Sequence, residues 1–130
     1  MQVLNLRLYQ YRNFSQQEIE FCPATNLFCG QNGQGKTNLL EAIYLLGYGR
    51  SFRTASPREC IQHGCEECRV EGTIGHGGMI RALGISISQA EEKKLLLHNK
   101  AAGLGEFIGN FHTLAFTQEH LKVVRGGPAE

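Results

Sequence analysis

Aspartate and tryptophan are both missing from the 130-residue sequence. All 12 acidic residues are therefore glutamates. Enzymes that transfer phosphoryl groups commonly hold Mg²⁺ with an aspartate, and a nearby acidic residue orients the attacking group. We infer that these residues do not contain a complete catalytic centre of that aspartate-dependent kind.

Long apolar runs are also missing, and so is a charged and then apolar leader with a cleavage site. The first absence argues against a membrane span and the second against secretion. The net charge is only +1, so any contact with nucleic acid would depend on a local basic patch. The 5 cysteines are odd in number and irregularly spaced, which favours a reducing compartment. We expect a cytoplasmic chain without a membrane contact.

Period-two alternation of apolar residues accounts for most of the chain. Leu4, Leu6 and Leu8 alternate with polar neighbours, as in a half-buried strand. The same argument predicts further strands and the turns between them. We predict strands at 2–9, 17–21, 26–29, 68–74, 79–88, 94–98 and 114–116, with turns at 75–78, 89–92 and 99–100.

Helical spacing begins at Lys36, and Gly47 is a natural end for that helix. Its predicted apolar face consists of Leu39, Leu40, Ile43 and Leu46. A second, shorter helix is predicted at 56–64, with Ser56 as its cap and Glu59 completing a capping box. A last helical turn is predicted at 106–111.

The segment between the buried strand at 26–29 and the first helix fits the pattern G-x-x-x-x-G-K-[ST] at every fixed position. Glycines let successive backbone N–H groups point at phosphate oxygens, and the helix adds its positive N-terminal end. Lysine is expected to reach the β- and γ-phosphates, and threonine to bind Mg²⁺. We predict a site for ATP or GTP with Mg²⁺ at Gly30, Gln31, Asn32, Gly33, Gln34, Gly35, Lys36 and Thr37.

Four segments together resemble the RecF family of SMC-like, ABC-type ATPases. They are Tyr11–Phe14, Asn26–Tyr44, Leu45–Arg53 and Phe116–Pro128. The resemblance runs over essentially the whole chain and is weakest in the strands between these segments. It implies an α/β P-loop fold in which residues 1–130 form the N-terminal lobe of an ABC-type head. We expect a mixed sheet beside the first helix and an antiparallel side sheet formed by 68–98.

The resemblance also implies roles for individual residues. Arg12 and Asn13 would lie beside the nucleotide, although a simple turn is an equal alternative for Arg12. Arg50 and Arg53 would face DNA or a second subunit, and the alternative is a pair of solvated arginines that tether a loop. Gln118 stands where the family is expected to have proline; it is a candidate Mg²⁺ ligand or water sensor, and a surface loop residue is the favoured alternative.

At the level of the whole protein, the resemblance implies an ATP-dependent homodimer that binds single-stranded and gapped or junction DNA. Such a protein helps mediators of the RecO and RecR kind to load recombinase during DNA replication, repair and the SOS response. Hydrolysis would need an aspartate strand and a serine-glycine signature, neither of which occurs here. We therefore expect an N-terminal fragment that binds ATP without hydrolysing it. The alternatives are a stand-alone nucleotide or small-molecule kinase and a non-catalytic nucleotide-binding interaction module.

Four potential zinc ligands lie within nine residues, namely Cys60, His63, Cys65 and Cys68. Their number suits a tetrahedral site, but they span a predicted helix and a strand, and no second pair follows. We expect buried packing cysteines rather than a zinc site.

Three lysines, Lys93, Lys94 and Lys100, flank predicted strand ends. We expect them to form a solvated edge that discourages pairing with other strands.

Overall fold

One antiparallel sheet of six strands organises the residues that the structure describes. The structure is a computed structural model that describes residues 2–21, 34–90 and 92–108. The strands are β1 (Gln2–Tyr11), β2 (Phe14–Glu20), β3 (Glu67–His76), β4 (Met79–Ser88), β5 (Lys93–Leu97) and β6 (Lys100–Ala102). The helices are α1 (Gln34–Tyr48), a 3₁₀ helix (Pro57–Cys60) and α2 (Leu104–Phe107). Across these residues, no helix has the length and apolar character that a membrane crossing needs.

The strand order is β2-β1-β3-β4-β5-β6, and every pair in it is antiparallel. The predicted antiparallel arrangement of 68–98 is confirmed. It does not form a separate side sheet, because β3 also pairs with β1 along most of its length. The mixed part of the predicted sheet depends on the strand at 26–29, which lies outside the described residues, as does the predicted strand at 114–116.

Tight turns with positive backbone φ angles join neighbouring strands. Gly77 and Gly78, with φ of 61° and 82°, connect β3 to β4, as the predicted turn at 75–78 requires. His98 and Asn99, with φ of 54° and 65°, connect β5 to β6, one residue earlier than predicted. Two positive φ angles in a two-residue loop match the right-handed twist of the strands. The shift arises because Lys100 pairs with Leu97 and so belongs to β6.

Helix α1 lies over β3 and β4. Leu6 and Leu8 of β1 are also buried in the core, as their alternation predicted. The buried face of α1 differs from the predicted one, since it carries two polar residues that an apolar pattern omits. That face consists of Asn38, Glu41, Ala42, Leu45 and Leu46.

Helix α1 ends one residue later than predicted, at Tyr48. Gly49 follows it with φ of 73°, and its N–H donates to the Leu45 carbonyl at 2.8 Å. Glycine in this left-handed conformation is a common helix end, because it closes the last turn without a Cβ clash.

The predicted helix at 56–64 is only a 3₁₀ turn at Pro57–Cys60, and Ser56 makes no side-chain cap. Ile61 instead forms a bridge with Tyr11, and the Gln62 N–H donates to the Gln10 carbonyl at 2.8 Å. This segment therefore meets its backbone hydrogen bonds by pairing with the end of β1, which competes with helix formation.

Helix α2 begins earlier than the helical turn predicted at 106–111. Its Glu106 carboxylate accepts a hydrogen bond from the Gly103 N–H at 3.2 Å. Phe107 is fully buried and anchors the segment to the core.

Candidate nucleotide-binding site

A buried carboxylate in the middle of α1 connects three segments of the chain. Glu41 has no exposed surface. Around it lie residues from the end of β1 and its turn, from α1 and from the segment after α1. We name this group the Glu41 cluster; it consists of Tyr11, Arg12, Asn38, Glu41, Ser51 and Arg53.

Arg12 makes the most extensive contact with Glu41. Its Nε donates to Glu41 Oε1 at 2.8 Å and its Nη2 to Oε2 at 2.9 Å. Two parallel hydrogen bonds of this kind fix the plane of the guanidinium as well as its position. The Arg12 backbone is held too, because its N–H donates to the Cys60 carbonyl at 2.8 Å. Its conformation is left-handed, with φ of 50°.

Tyr11 reaches the same carboxylate from the end of β1. Its hydroxyl oxygen lies 2.6 Å from Glu41 Oε1 and 2.7 Å from the Asn38 carbonyl oxygen. Burial, and then the negative charge of Glu41, raise the pKa of Tyr11 far above its usual range. The hydroxyl therefore keeps its proton and remains a donor to the carboxylate.

The segment after α1 supplies the remaining polar contacts. Ser51 Oγ donates to Glu41 Oε2, and it accepts the Arg53 N–H at 2.9 Å and the Thr54 N–H at 3.3 Å. Arg53 Nη1 donates to Asn38 Oδ1 and, at 3.4 Å, to Glu41 Oε1. One serine hydroxyl thus both folds this loop and joins it to α1.

The electrostatics of the cluster keep Glu41 ionised. Burial alone would raise the pKa of its carboxyl, but hydrogen bonds from Arg12, Ser51 and Tyr11 lower the pKa below its ordinary value of 4.5. Two guanidinium groups, of Arg12 and Arg53, face one carboxylate. The net charge of the cluster is therefore +1, and this positive charge favours the binding of an anion nearby.

Asn13 also contacts α1 close to its beginning. Asn38 Nδ2 donates to Asn13 Oδ1 at 2.8 Å. Asn38 is four residues beyond Gln34, the first residue of the helix, a rise of about 6 Å. The turn with Arg12 and Asn13 is thereby fixed beside the positive N-terminal end of α1, where a phosphate is favoured.

The predicted phosphate-binding loop is only partly described. Gln34–Thr37 form the first turn of α1, which agrees with the motif's requirement for a helix at this point. Gly30, Gln31, Asn32 and Gly33 lie outside the described residues, and Gln118 does too.

Arg50 and Arg53 line a cleft of about 500 Å³, to which Ser51 of the cluster also belongs. Lys93 lines it as well, and none of its lining residues in the described part of the chain is a carboxylate. Lys93, Lys94 and Lys100 are all exposed, which agrees with the predicted solvated positions, and Lys93 Nζ also donates to the Gly49 carbonyl at 2.8 Å. A lysine beside the last carbonyls of α1 is stabilised by the negative end of the helix.

The four potential zinc ligands do not converge. The Cys65 thiol donates to Gln62 Oε1 at 3.7 Å, and the Cys60 thiol donates to Glu41 Oε2 at 3.9 Å. Burial raises the pKa of both Cys60 and Cys68 to about 12, so these thiols are neutral. Within the described ranges, no group of three or more His, Cys, Asp or Glu side chains is placed to hold a metal ion.

Glu41 is the residue that the sequence analysis missed. A signal for it was available, because Asn38 and Glu41 share a helical face with Leu45 through spacings of three and four residues. A glutamate within the core-facing stripe of a helix requires a cationic partner. In the structure, Arg12 and Arg53 are these cationic partners.

Comparison with known proteins places the chain in a family. The model described as the RecF/RecN/SMC N terminal domain matches residues 2–121. The chain belongs to this family. The resemblance to RecF is thereby confirmed, and the family membership argues against the alternative of a stand-alone kinase.

Relatives within the family include proteins described as the DNA replication and repair protein RecF. That of Latilactobacillus sakei subsp. sakei (strain 23K) is 38% identical over 129 residues, which cover 99% of this chain and 34% of the relative. That of Ruminiclostridium cellulolyticum is 39% identical over 132 residues, covering 100% of this chain and 36% of the relative. The chain thus spans about a third of the length of these curated relatives.

Solved structures give the same family. A structure of the recombination mediator protein RecF with ATP, in the RecFOR pathway, is 31% identical with a TM-score of 0.84. The match covers 98% of this chain and 36% of that chain. An SMC ATPase structure is 16% identical with a TM-score of 0.77 over 95% of this chain and 90% of that chain, and it supports the fold alone. The predicted ABC-type P-loop head is therefore confirmed as the fold class.

Proposed function

We propose that the chain is the ATP-binding part of a RecF-type DNA replication and repair protein. Residues Gly30–Thr37 hold the triphosphate, with Thr37 binding Mg²⁺, and Arg12 and Asn13 lie beside the nucleotide. The observation that carries the proposal is the attachment of the turn containing Arg12 and Asn13 to the first turns of α1. The surplus positive charge of the Glu41 cluster and the ATP complex of a RecF relative support it.

Titration of the chain with Mg-ATP by calorimetry tests this proposal beside the Lys36→Ala variant. Loss of a charge-assisted contact to phosphate is expected to weaken binding by about tenfold to a hundredfold. Lys94→Ala, which removes the same charge from an exposed position on β5, is the matched control and should bind like the wild type. Equal affinity of all three proteins would overturn the proposal.

Turnover is a separate matter, because the chain has no aspartate to complete the Mg²⁺ site. We propose that the chain binds ATP without hydrolysing it. A phosphate-release assay at saturating Mg-ATP should give the rate of a protein-free blank. Steady release that disappears in Lys36→Ala would show that one of the glutamates acts as a catalytic carboxylate.

DNA is the proposed macromolecular partner. The cleft beside the Glu41 cluster presents Arg50, Arg53 and Lys93 without a carboxylate among its lining residues. Clustered cations of this kind bind the phosphate backbone and do not read sequence. Arg50 is exposed, whereas Arg53 is shared with Asn38 and Glu41, so Arg50 is the better candidate for direct contact.

Fluorescence anisotropy with a gapped DNA duplex tests the cleft through its salt dependence. Arg50→Ala should weaken binding for all sequences and reduce the slope against log salt by about one phosphate contact. Lys100→Ala removes an equal charge from an exposed residue of β6 that does not line the cleft, and it is the control. The cleft is not the DNA site if Arg50→Ala keeps the wild-type slope.

For the complete protein we propose ATP-dependent dimerisation and cooperation with mediators of the RecO and RecR kind. The support is the RecFOR pathway named for the relative with ATP and the ATP-driven dimerisation named for an SMC ATPase of the same fold. Sedimentation with and without Mg-ATP tests the first part. A sedimentation coefficient that does not change with ATP would contradict it.

A further inference from the structure

We propose that Glu41 is a positioning residue for the nucleotide, acting through the side chain of Arg12. The inference rests on the proposed function, since it assumes ATP at Gly30–Thr37. It adds that the affinity for ATP depends on a buried carboxylate that lies four residues beyond Thr37, about one helical turn, and acts without contacting the ligand.

Arg12 is held by Glu41 through two of its N–H donors. An arginine has five N–H donors, and Glu41 takes one from Nε and one from Nη2. The side chain is still 18% exposed, so it is fixed without being sealed from solvent. A guanidinium held in this way is oriented before an anion arrives, which lowers the entropy lost on binding.

The side chain of Glu41 is itself held in one position. Tyr11 and Ser51 donate to its oxygens from two other segments, and the side chain is fully buried. The carboxylate is therefore held by donors other than Arg12. Because Glu41 lies on α1, its hydrogen bonds connect Arg12 to the helix that begins in the phosphate-binding loop.

The Glu41 carboxylate binds both the turn containing Arg12 and the loop containing Ser51 and Arg53. Arg53 and Ser51 belong to the loop that lines the cationic cleft, and both donate to Glu41. Removal of the charge would release Arg12 and loosen this loop together. A purely structural role would lower stability, whereas a positioning role also lowers nucleotide affinity in a way that requires Arg12.

A double-mutant cycle on the chain separates these roles. Mg-ATP dissociation constants are measured for the wild type, Glu41→Gln, Arg12→Ala and the double variant. We expect each single variant to bind about tenfold more weakly and the double variant to be no weaker than Arg12→Ala, because coupled residues are not additive. Unchanged affinity in Glu41→Gln, or losses that multiply in the double variant, would overturn the proposal.

The matched control is the ion pair of Arg7 and Glu71, whose Nε and Oε1 atoms are 3.3 Å apart between β1 and β3. It is partly exposed, and its residues are adjacent on neighbouring strands. Glu71→Gln makes the same chemical change as Glu41→Gln and should leave ATP affinity unchanged. An equal loss in both variants would reveal a general charge effect and overturn the positioning role.

Two further measurements keep the outcome clear. If Glu41→Gln is too unstable to titrate, Tyr11→Phe removes one donor to the same carboxylate without changing the charge. It should weaken ATP binding by a smaller factor, and this effect should vanish in the Arg12→Ala background; persistence there would overturn the proposal. Failure of the proposed function is recognised separately, because the wild type would then bind no better than Lys36→Ala.

Discussion

A carboxylate without access to solvent is stable only when neighbouring donors replace the water that it loses. Glu41 meets this condition through donors from two segments of the chain, the end of β1 with its turn and the segment after α1. Removal of one member of such a group leaves the others buried and incompletely paired, which commonly costs several kcal/mol. The cluster should therefore contribute to stability as well as to the proposed site.

Tyr11→Phe tests this contribution with the smallest change. The variant loses a buried hydroxyl that lies 2.6 Å from the Glu41 carboxylate, and the ring is retained. We expect the free energy of unfolding in urea to fall by about 1–3 kcal/mol. Tyr9→Phe is the control, because Tyr9 is 37% exposed; its stability should change by less than about 0.5 kcal/mol. Equal effects of the two variants would contradict the account of the cluster.

The ionisation of Glu41 predicts a loss of stability in acid. Its pKa is lowered in the folded chain, against an ordinary value of 4.5. The folded state therefore binds this proton less readily than the unfolded state does. The stabilisation is complete above pH 4.5 and is lost as pH falls toward the lower pKa of the folded state.

Urea unfolding from neutral pH to below pH 4.5 measures this dependence on the wild type and on Glu41→Gln. The variant should be less stable at neutral pH and should lose less stability on acidification. The matched control, Glu71→Gln, should follow the wild type, because its partly exposed ion pair contributes little. If the free energy of unfolding fell equally steeply with pH in Glu41→Gln and in the wild type, Glu41 would not be the group responsible for the loss of stability in acid.

For individual residues, the sequence predicts which side chains belong to the site better than it predicts the contacts between them. The sequence predicts Arg12, Asn13, Arg50 and Arg53 as candidate site residues, and in the structure all of these but Arg50 contact Asn38 or Glu41 of α1. Glu41, to which two of them bind, was missed because an apolar pattern defines a helical face by its leucines and isoleucines. Helical spacing can place Glu41 on the same face as Leu45, but it does not say which distant arginines pair with it.

Among the elements, the packing of α1 on the sheet determines where the site lies. Helix and sheet approach closely where β3 has glycine in place of a side chain. A Cβ built at Gly72 would lie 2.6 Å from Leu46 Cδ1 and 3.1 Å from the Asn5 carbonyl oxygen. A side chain at this position would require Leu46 to move and would press against the Asn5 carbonyl oxygen, so the close packing of α1 on β3 depends on this glycine.

Gly72→Ala should destabilise the chain by about 1–3 kcal/mol, because overpacking forces the helix or the strand to shift. Thermal unfolding measures the effect. Gly84→Ala is the control in the neighbouring strand β4, where the nearest atom to a built Cβ, Glu71 Cγ, is 3.4 Å away. Its stability should change by less than about 1 kcal/mol. If Gly72→Ala is tolerated as well as Gly84→Ala, the close approach does not position the helix.

Sequence patterns predicted these elements unequally. Strands with strict alternation, such as β1 and β4, were predicted because one face is buried and the other is not. The helix predicted at 56–64 was wrong, since capping residues at Ser56 and Glu59 describe only local preference. Pairing of Ile61 with Tyr11 is a contact across 50 residues of sequence, and local propensity does not contain it.

At the scale of the whole molecule, the fold is shared with much longer proteins, since the chain spans about a third of its RecF relatives. The motif from Gly30 to Thr37 and the resemblance to RecF were available from the sequence. The arrangement that supports them, in which a turn and a loop meet on α1, required the structure. Nucleotide binding should therefore stabilise the folded chain as a unit.

Equilibrium unfolding in urea with and without Mg-ATP tests this central claim most directly. A ligand that binds only the folded state at 100 times its dissociation constant adds about 2.7 kcal/mol to the free energy of unfolding. We predict an increase of this size in the wild type and its loss in Lys36→Ala. No increase at high Mg-ATP, or an equal increase in Lys36→Ala, would contradict an ATP site at Gly30–Thr37.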